Sequence, residues 1–368
     1  MRAGEENGQP FRLNLTAAGA RTEVVLGHAV LARADELLVR YRQGRLLLVS
    51  DAHVAPLYAA PLCNALVRAG YNADLLTIAA GEEAKTLDTL IQLYSACQSL
   101  QVERSDTVVA VGGGVVGDVA GMLAGTYLRG LEFVQVPTSL VAMVTASVGG
   151  KVGVNFGGYK NIIGLFKQPA LVLADLDALA SLPDVELRSG LGELVTVGVL
   201  GAPEIFEALE ARGTANLGAL IAAAIRCKNA IVEADPFEQL GRRAHLNLGH
   251  TFGHALEALS DFTLPHGLAV AVGLRIASQL AARLGLCPED LPERIEHTLL
   301  ALDLPIALAG YSPDQVIQAM RRDKKSKGGH LRWVLPVRLG QVMLVDEERV
   351  PYDLLVEVLR TVVGAGAV

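Results

Sequence analysis

Two histidines four residues apart, His250 and His254, stand in the run Asn247-Leu248-Gly249-His250-Thr251-Phe252-Gly253-His254. On a helix, positions i and i+4 lie one above the other, so both imidazoles would point into one space and suit a divalent cation. The spacing alone leaves open an ordinary pair of polar neighbours on a half-buried helix. Asn247 and Arg243 fall one and two turns earlier on the same expected face, which a core helix would fill with leucine. His266 follows a short loop containing Pro265. Three protein ligands with one open position is the usual form of a catalytic zinc site, so a carboxylate is also wanted. Glu193 supplies it: it stands alone in the apolar stretch 189–195, where an unpaired carboxylate would be costly to bury. Glu193, His250 and His266 together form a predicted two-histidine, one-carboxylate metal site.

A different chemistry is written at residues 112–118, Gly-Gly-Gly-Val-Val-Gly-Asp, which follow an apolar run at 107–111 and precede a helical pattern. Gly112, Gly114 and Gly117 match the G-x-G-x-x-G spacing, in which backbone N–H groups at a helix start face a pyrophosphate. This is not the first strand-to-helix turn of the chain, which sets it apart from an ordinary dinucleotide unit. Asp51 ends an earlier apolar run, placed either to accept ribose hydroxyls or simply to cap a helix. The segment from Gly81 through Glu82 to Lys85 reads as a helix start bordering the nucleotide. Lys151, Asn155, Lys160 and Asn161 lie in a segment with five glycines between 149 and 158, which reads as a phosphate cradle in a strand-to-helix region. Lys228 and Arg243 add cations for an anionic substrate.

These groups must be held by a chain of 368 residues, too long for one typical core, so two domains are expected. Apolar runs at 23–27, 46–51, 74–78, 107–111, 133–136 and 171–175 alternate with helix-length segments. Runs apolar at nearly every position suit a parallel sheet covered on both faces, hence a doubly wound, Rossmann-like α/β domain over residues 1–178. Helical spacing then dominates at 184–200, 203–212, 215–234, 243–259, 267–284, 292–302, 312–322 and 352–363, which predicts a mostly α-helical domain over residues 179–368. A short strand pair is expected at 331–335 and 342–345.

With 51% hydrophobic and 19% charged residues the chain is not disordered, and its net charge of −7 argues against nucleic acid as a partner. The uncharged window 133–150 is interrupted by Gln135, Pro137, Thr138 and Ser139, so no membrane span is expected. Cys63, Cys97, Cys227 and Cys287 are scattered, as in a reduced, cytoplasmic protein.

Several blocks in order resemble the 3-dehydroquinate synthase family, among the sugar-phosphate cyclases: 81–86, 112–118, 126–130, Pro137-Thr138-Ser139, 147–151, Lys160-Asn161, 190–193, 247–254, His266-Gly267 and Asp323-Lys324-Lys325. The resemblance implies a cytoplasmic, homodimeric lyase of the shikimate pathway, serving aromatic amino acid and chorismate biosynthesis. Its substrate would be 3-deoxy-D-arabino-heptulosonate 7-phosphate, and its cofactors NAD and a divalent metal, zinc or cobalt. In the family scheme NAD oxidises a ring hydroxyl, phosphate leaves, the hydride returns and the ring recloses as a carbocycle. The metal ligands implied are Glu193, His250 and His266, while His254 serves proton transfer, a revision of the spacing argument. Lys151, Lys160, Asn161, Lys228, Arg243, Asn247 and Lys324 or Lys325 match substrate positions, and Arg129 matches an arginine that reaches the partner subunit's phosphate. The nucleotide positions implied are Asp51, Gly81, Glu82, Lys85, Gly113, Gly114, Val115, Val116, Gly117, Asp118, Thr138, Ser139, Lys151, Lys160, Leu179 and Ser181.

Four departures stand out. Thr145 replaces a common aspartate, Thr196 replaces the lysine of Glu-x-x-Lys, Leu268 replaces a glutamate after His-Gly, and one residue is inserted between Lys228 and Arg243. They leave room for a cyclase acting on sedoheptulose 7-phosphate, glucose 6-phosphate or an amino analogue, although Arg243 suits a substrate carboxylate that those sugars lack. A metal-dependent polyol dehydrogenase and a non-catalytic descendant are the other readings. The phosphate cradle counts against the first and the metal set against the second.

Overall fold

The computed structural model describes residues 5–6, 9–324 and 331–364. By its contacts the chain divides into two units: Met1–Leu182 with Asn216–Asn229, and Pro183–Ala215 with Ala230–Val368.

The strands of the first unit are β1 (Glu5–Glu6), β2 (Gln9–Ala17), β3 (Ala20–Gly27), β4 (Arg45–Asp51), β5 (Asn72–Ile78), β6 (Thr107–Gly112), β7 (Glu132–Pro137), β8 (Lys151–Phe156), β9 (Tyr159–Phe166) and β10 (Leu171–Asp175). Its helices are α1 (Ala34–Leu37), α2 (Ala60–Arg68), α3 (Leu87–Ser99) and α4 (Gly114–Thr126). Eight strands form one sheet in the order β1-β2-β3-β10-β7-β6-β4-β5. From β3 to β5 every neighbouring pair is parallel, and these are the six strands expected from their apolar runs. The physical reason is visible along β4, where successive side chains point to opposite faces. Leu47 and Val49 enter a core with Val108, Ala110 and residues of α3 and α4, whereas Leu46 and Leu48 enter another with Val109, Val111 and residues of α2. With both faces covered, successive positions of β4 from Leu46 to Val49 are all apolar.

The strand order reverses between β4 and β6. From β4 the chain passes outward to β5, then returns to β6 on the other side of β4 and continues away through β7 and β10. Such a reversal opens a crevice at the carboxyl ends of the two strands, where open α/β sheets bind ligands. Asp51 ends β4, and the glycine turn follows β6.

Two features of this unit depart from expectation. Antiparallel β1 and β2 extend the sheet beside β3. The segment read as a strand-to-helix cradle is an antiparallel hairpin, β8 against β9, with a bulge between Val154 and Phe156.

In the second unit the expected helices are α5 (Asp184–Leu200), α6 (Pro203–Arg212), α8 (His250–Leu259), α9 (His266–Arg283), α10 (Leu291–Ala301), α11 (Pro313–Lys324) and α12 (Tyr352–Val363). Helix α7 (Leu217–Ala234) carries the chain from one unit to the other. The strand pair is β11 (Arg332–Arg338) and β12 (Gln341–Asp346). One expectation fails: residues 243–259 are not one helix. Arg242–Asn247 is a separate 3-10 turn, and Gly249, at φ +74°, breaks the chain's path before α8 begins. Arg243 and Asn247 therefore do not share a helical stripe with the two histidines. No helix among the described residues is long and apolar enough to cross a membrane; residues 133–150 form β7 and a wide helical turn instead.

Candidate active site

Each of the three expected metal ligands has a glycine beside it in sequence, and those glycines let the helices touch. A Cβ on Gly192 would lie 2.2 Å from the Gly267 carbonyl oxygen, and one on Gly273 would lie 2.1 Å from the Gly249 oxygen. Backbones this close bring Glu193 on α5, His250 at the start of α8 and His266 at the start of α9 within reach of one point. Glu193 is 3% exposed. Its Oε1 lies 3.1 Å from His266 Nε2 and 3.5 Å from His250 Nε2, yet accepts no hydrogen bond. The three groups converge on a common position, as ligands of a cation do.

Both rings are fixed from behind. His250 Nδ1 donates to the Leu248 carbonyl at 2.9 Å, and His266 Nδ1 donates to Glu257 Oε2 at 3.1 Å. Carbonyl and carboxylate oxygens only accept, so the Nδ1 atoms carry protons and each ring turns Nε2, the atom a metal would take, toward Glu193, the arrangement usual behind metal-bound histidine. Burial by itself raises the Glu193 carboxyl, but the two imidazoles hold it well below the usual range. Burial lowers His266, yet Glu193 and Glu257 outweigh it and push the ring up to about 10. A buried oxygen without a hydrogen bond, two Nε2 atoms aimed at it and a net negative surround fit a divalent metal. Glu257, 4% exposed, was not anticipated. Its signal was its place three residues after His254, on the same helix face.

His254 sits one turn beyond His250, their ring centroids 5.5 Å apart, and its centroid is 5.7 Å from that of His266. It belongs to the same cluster but not to the converging triad. Arg243 is buried and donates from Nη1 to the Pro236 carbonyl at 2.8 Å. The loop before it is gathered by Asp235, whose Oδ1 accepts from Gln239 N at 2.8 Å and Leu240 N at 3.1 Å, and whose Oδ2 accepts from Arg243 N at 3.3 Å. Asn247 ends the 3-10 turn, half-buried. The Thr196 hydroxyl donates to the Gly192 carbonyl of its own helix at 2.9 Å, so its one proton is spent within the helix and it brings no positive charge. Leu268 is buried on α9.

In the first unit the expected nucleotide residues lie at the carboxyl ends of the parallel strands. Gly113 and Gly114 start α4, and Val115, Val116, Gly117 and Asp118 form its first turn and a half. Thr138 N donates to the Gly112 carbonyl at 3.0 Å, which sets Thr138 and Ser139 against the glycine turn. A Cβ on Gly117 would come within 2.8 Å of Gln135 Oε1, so a larger residue there would displace that amide. Asp51 Oδ1 caps the following turn, accepting from His53 N and Val54 N at 2.8 and 2.9 Å, so the capping role is real whatever Oδ2 binds. After β5, Gly81 leads into a short turn at Glu82–Ala84, and Lys85, buried, pairs with Asp118 Oδ2 at 2.5 Å. Burial raises the Asp118 carboxyl and Lys85 opposes the rise. Leu179 and Ser181 follow β10, with Ser181 Oγ 2.6 Å from the Tyr58 hydroxyl of the Asp51 segment.

Lys151 starts β8, while Lys160 and Asn161 are exposed on β9. Lys228 Nζ donates to the Thr145 carbonyl, and the Thr145 hydroxyl to the Val141 carbonyl at 3.1 Å. Arg129, exposed and at φ +68°, projects from the turn after α4. Lys324 closes α11 and Lys325 lies outside the described residues.

Residues 75–189 match the 3-dehydroquinate synthase N-terminal family and residues 190–326 the 3-dehydroquinate synthase C-terminal family. The 3-dehydroquinate synthase of Symbiobacterium thermophilum is 43% identical over 338 residues, 89% of this chain and 94% of that protein. Among solved structures, a 2-epi-5-epi-valiolone synthase from Streptomyces hygroscopicus subsp. jinggangensis with NAD+ and Zn2+ bound is similar, with a TM-score of 0.85 at 29% identity, covering 94% of this chain and 97% of that one. A 2-deoxy-scyllo-inosose synthase complexed with carbaglucose-6-phosphate, NAD+ and Co2+ has a TM-score of 0.86 at 26% identity, covering 95% and 99%. With the two family regions matched one after the other over residues 75–326 and two-fifths of its residues shared with a relative over most of its length, the chain belongs to the 3-dehydroquinate synthase family.

Proposed function

We propose that the chain is a carbon–oxygen lyase acting on a phosphate, converting 3-deoxy-D-arabino-heptulosonate 7-phosphate to 3-dehydroquinate and inorganic phosphate in the shikimate pathway. The observation that carries the reading is the buried Glu193 oxygen facing the Nε2 atoms of His250 and His266, in a chain of this family. The cofactors of the reading are NAD and a divalent metal, zinc or cobalt, supported by the similar structures that hold NAD+ with Zn2+ or Co2+. When bound, NAD supplies a reversible hydride acceptor and the metal polarises the hydroxyl being oxidised.

The chain's own residues do the rest. Glu193, His250 and His266 would hold the dication, and Glu257 keeps the His266 ring oriented for it. His254 moves a proton beside the reacting carbon through an imidazole nitrogen. Lys151, Lys160, Asn161, Lys228 and Lys324 or Lys325 stabilise the phosphate and the charge that develops as it leaves. Arg243, with Asn247, receives the substrate carboxylate through paired N–H donors. Asp51, Gly81, Glu82, Lys85, the Gly113–Asp118 turn, Thr138, Ser139, Lys151, Lys160, Leu179 and Ser181 would hold the nucleotide. Residues 1–178, with Leu179 and Ser181 just beyond them, carry the nucleotide role, and the rest of 179–368 the metal and carboxylate roles. A cytoplasmic homodimer, with Arg129 reaching the partner's phosphate, completes the reading.

The test is incubation with NAD, zinc or cobalt and the heptulosonate phosphate, following phosphate and NADH together. Phosphate release without net NADH is the expected result. Accumulating NADH would make the chain a dehydrogenase. Turnover of sedoheptulose 7-phosphate or glucose 6-phosphate instead would make it a different cyclase.

A further inference from the structure

Asn155 stands at the bulge of the β8–β9 hairpin, and bulges re-aim a side chain out of the regular pleat. Its amide is used at both ends: Nδ2 donates to Glu82 Oε1 at 2.8 Å, and Oδ1 accepts from Asn161 N at 2.8 Å. Its backbone N–H donates to the Lys85 carbonyl at 2.9 Å. Lys85 in turn pairs with Asp118 in the first turns of α4. A continuous polar chain thus runs from the glycine turn through Lys85 and Glu82 to Asn155, and from there to Asn161 beside Lys160. Asn161 is held at φ +54°, a left-handed conformation that asparagine tolerates better than most residues, so its N–H direction depends on the partner that fixes it.

We infer that Asn155 is a positioning residue that couples the nucleotide-side segment Gly81–Lys85 to the Lys160–Asn161 strand, so that filling one site pre-orders the other. This rests on the reading that the first segment borders NAD and the second binds a phosphate. Ordering Glu82 by bound nucleotide fixes the Asn155 amide, and the same amide fixes Asn161 N; a ligand at the second site then loses less conformational freedom on binding. Linkage requires the effect to be reciprocal.

The experiment is calorimetric titration of NAD into the metal-loaded protein with and without saturating inorganic phosphate, and of phosphate with and without NAD. Phosphate is expected to tighten NAD about tenfold, and NAD to tighten phosphate by the same factor. In Asn155→Ala the factor should fall to about one. Asn155→Asp, which keeps the acceptor for Asn161 N but sets a carboxylate against Glu82, should lose coupling too, and it serves if the alanine variant does not fold. A merely structural role would weaken each ligand alone and leave the ratio unchanged; that result overturns the inference, as does absence of coupling in the unaltered protein. Failure of NAD to bind the unaltered protein at all would instead overturn the functional reading beneath it.

Discussion

Glu257→Gln tests the metal site at the atom behind it. The substitution keeps the side chain's shape, and an amide oxygen can still accept from His266 Nδ1, now 3.1 Å from the carboxylate. What disappears is a buried negative charge on the far side of a ligand ring. Outer partners of this kind tune metal affinity by about one to two decades. The same carboxylate also helps hold the proton that competes for Nε2, since His266 is pushed up to about 10 in the metal-free site. A dication carries twice the proton's charge and so loses about twice as much when the carboxylate is neutralised. The apparent loss at pH 8 is therefore about half the intrinsic one in logarithmic terms, about three- to tenfold, or about 0.7–1.4 kcal/mol. Competition with a chromophoric chelator reads this directly for zinc and for cobalt. An unchanged or tightened affinity at pH 8 would refute the reasoning, because it would mean that Glu257 acts on the proton alone or not at all.

Gly114→Ala is expected to fold normally, since its Cβ would meet only the Ala146 Cβ at 3.6 Å, and to weaken NAD about tenfold by holding the backbone off the pyrophosphate; melting and calorimetry separate the two effects. Asp235→Asn is expected to destabilise the fold at pH 7 because an amide cannot accept at both ends. Burial by itself raises Asp235, but the N–H groups of Leu240, Arg243, Gln239 and Arg242 outweigh it and hold the carboxyl below its ordinary value. A lowered carboxyl gives stability that is present above the unfolded value, about 3.9, and is lost as pH falls through the folded one. The deficit in urea midpoint should thus be full at pH 7 and shrink below about pH 3.9; a deficit constant with pH would count against the carboxylate's role.

The parallel strands were legible because burial on both faces leaves an unbroken apolar run, as in Leu46 to Val49. The triad was legible from chemistry: Glu193 in an apolar helix demands a partner. What periodicity could not see was the break at Gly249, since a single left-handed residue redirects the chain without disturbing the apolar count on either side. The hairpin β8–β9 was hidden by apolar residues on both of its faces. Val152 and Val154 are buried and Ile163 and Leu165 pack against the same core, but Phe156, Tyr159, Ile162 and Phe166 are exposed, so hydrophobicity along the strands does not follow their in-out alternation. Strand β2 does alternate, with Leu15 and Ala17 buried, and that signal was present but short. Glu257 showed only its spacing from His254, and Asn155 only its place in the glycine-rich segment, because the partners that give them their roles, His266 and Glu82, stand on other elements.

Helix α7 gives Asn216–Asn229, with Lys228 among them, to the sheet unit, although residues 183–215 just before it belong elsewhere. During synthesis from the amino terminus the sheet unit is therefore still missing a piece after Leu182 has emerged. It must wait for a stretch delivered only once part of the other unit has been made. A nascent chain halted between the two points would carry the whole eight-stranded sheet but not the stretch that completes its unit, the kind of species that chaperones recognise.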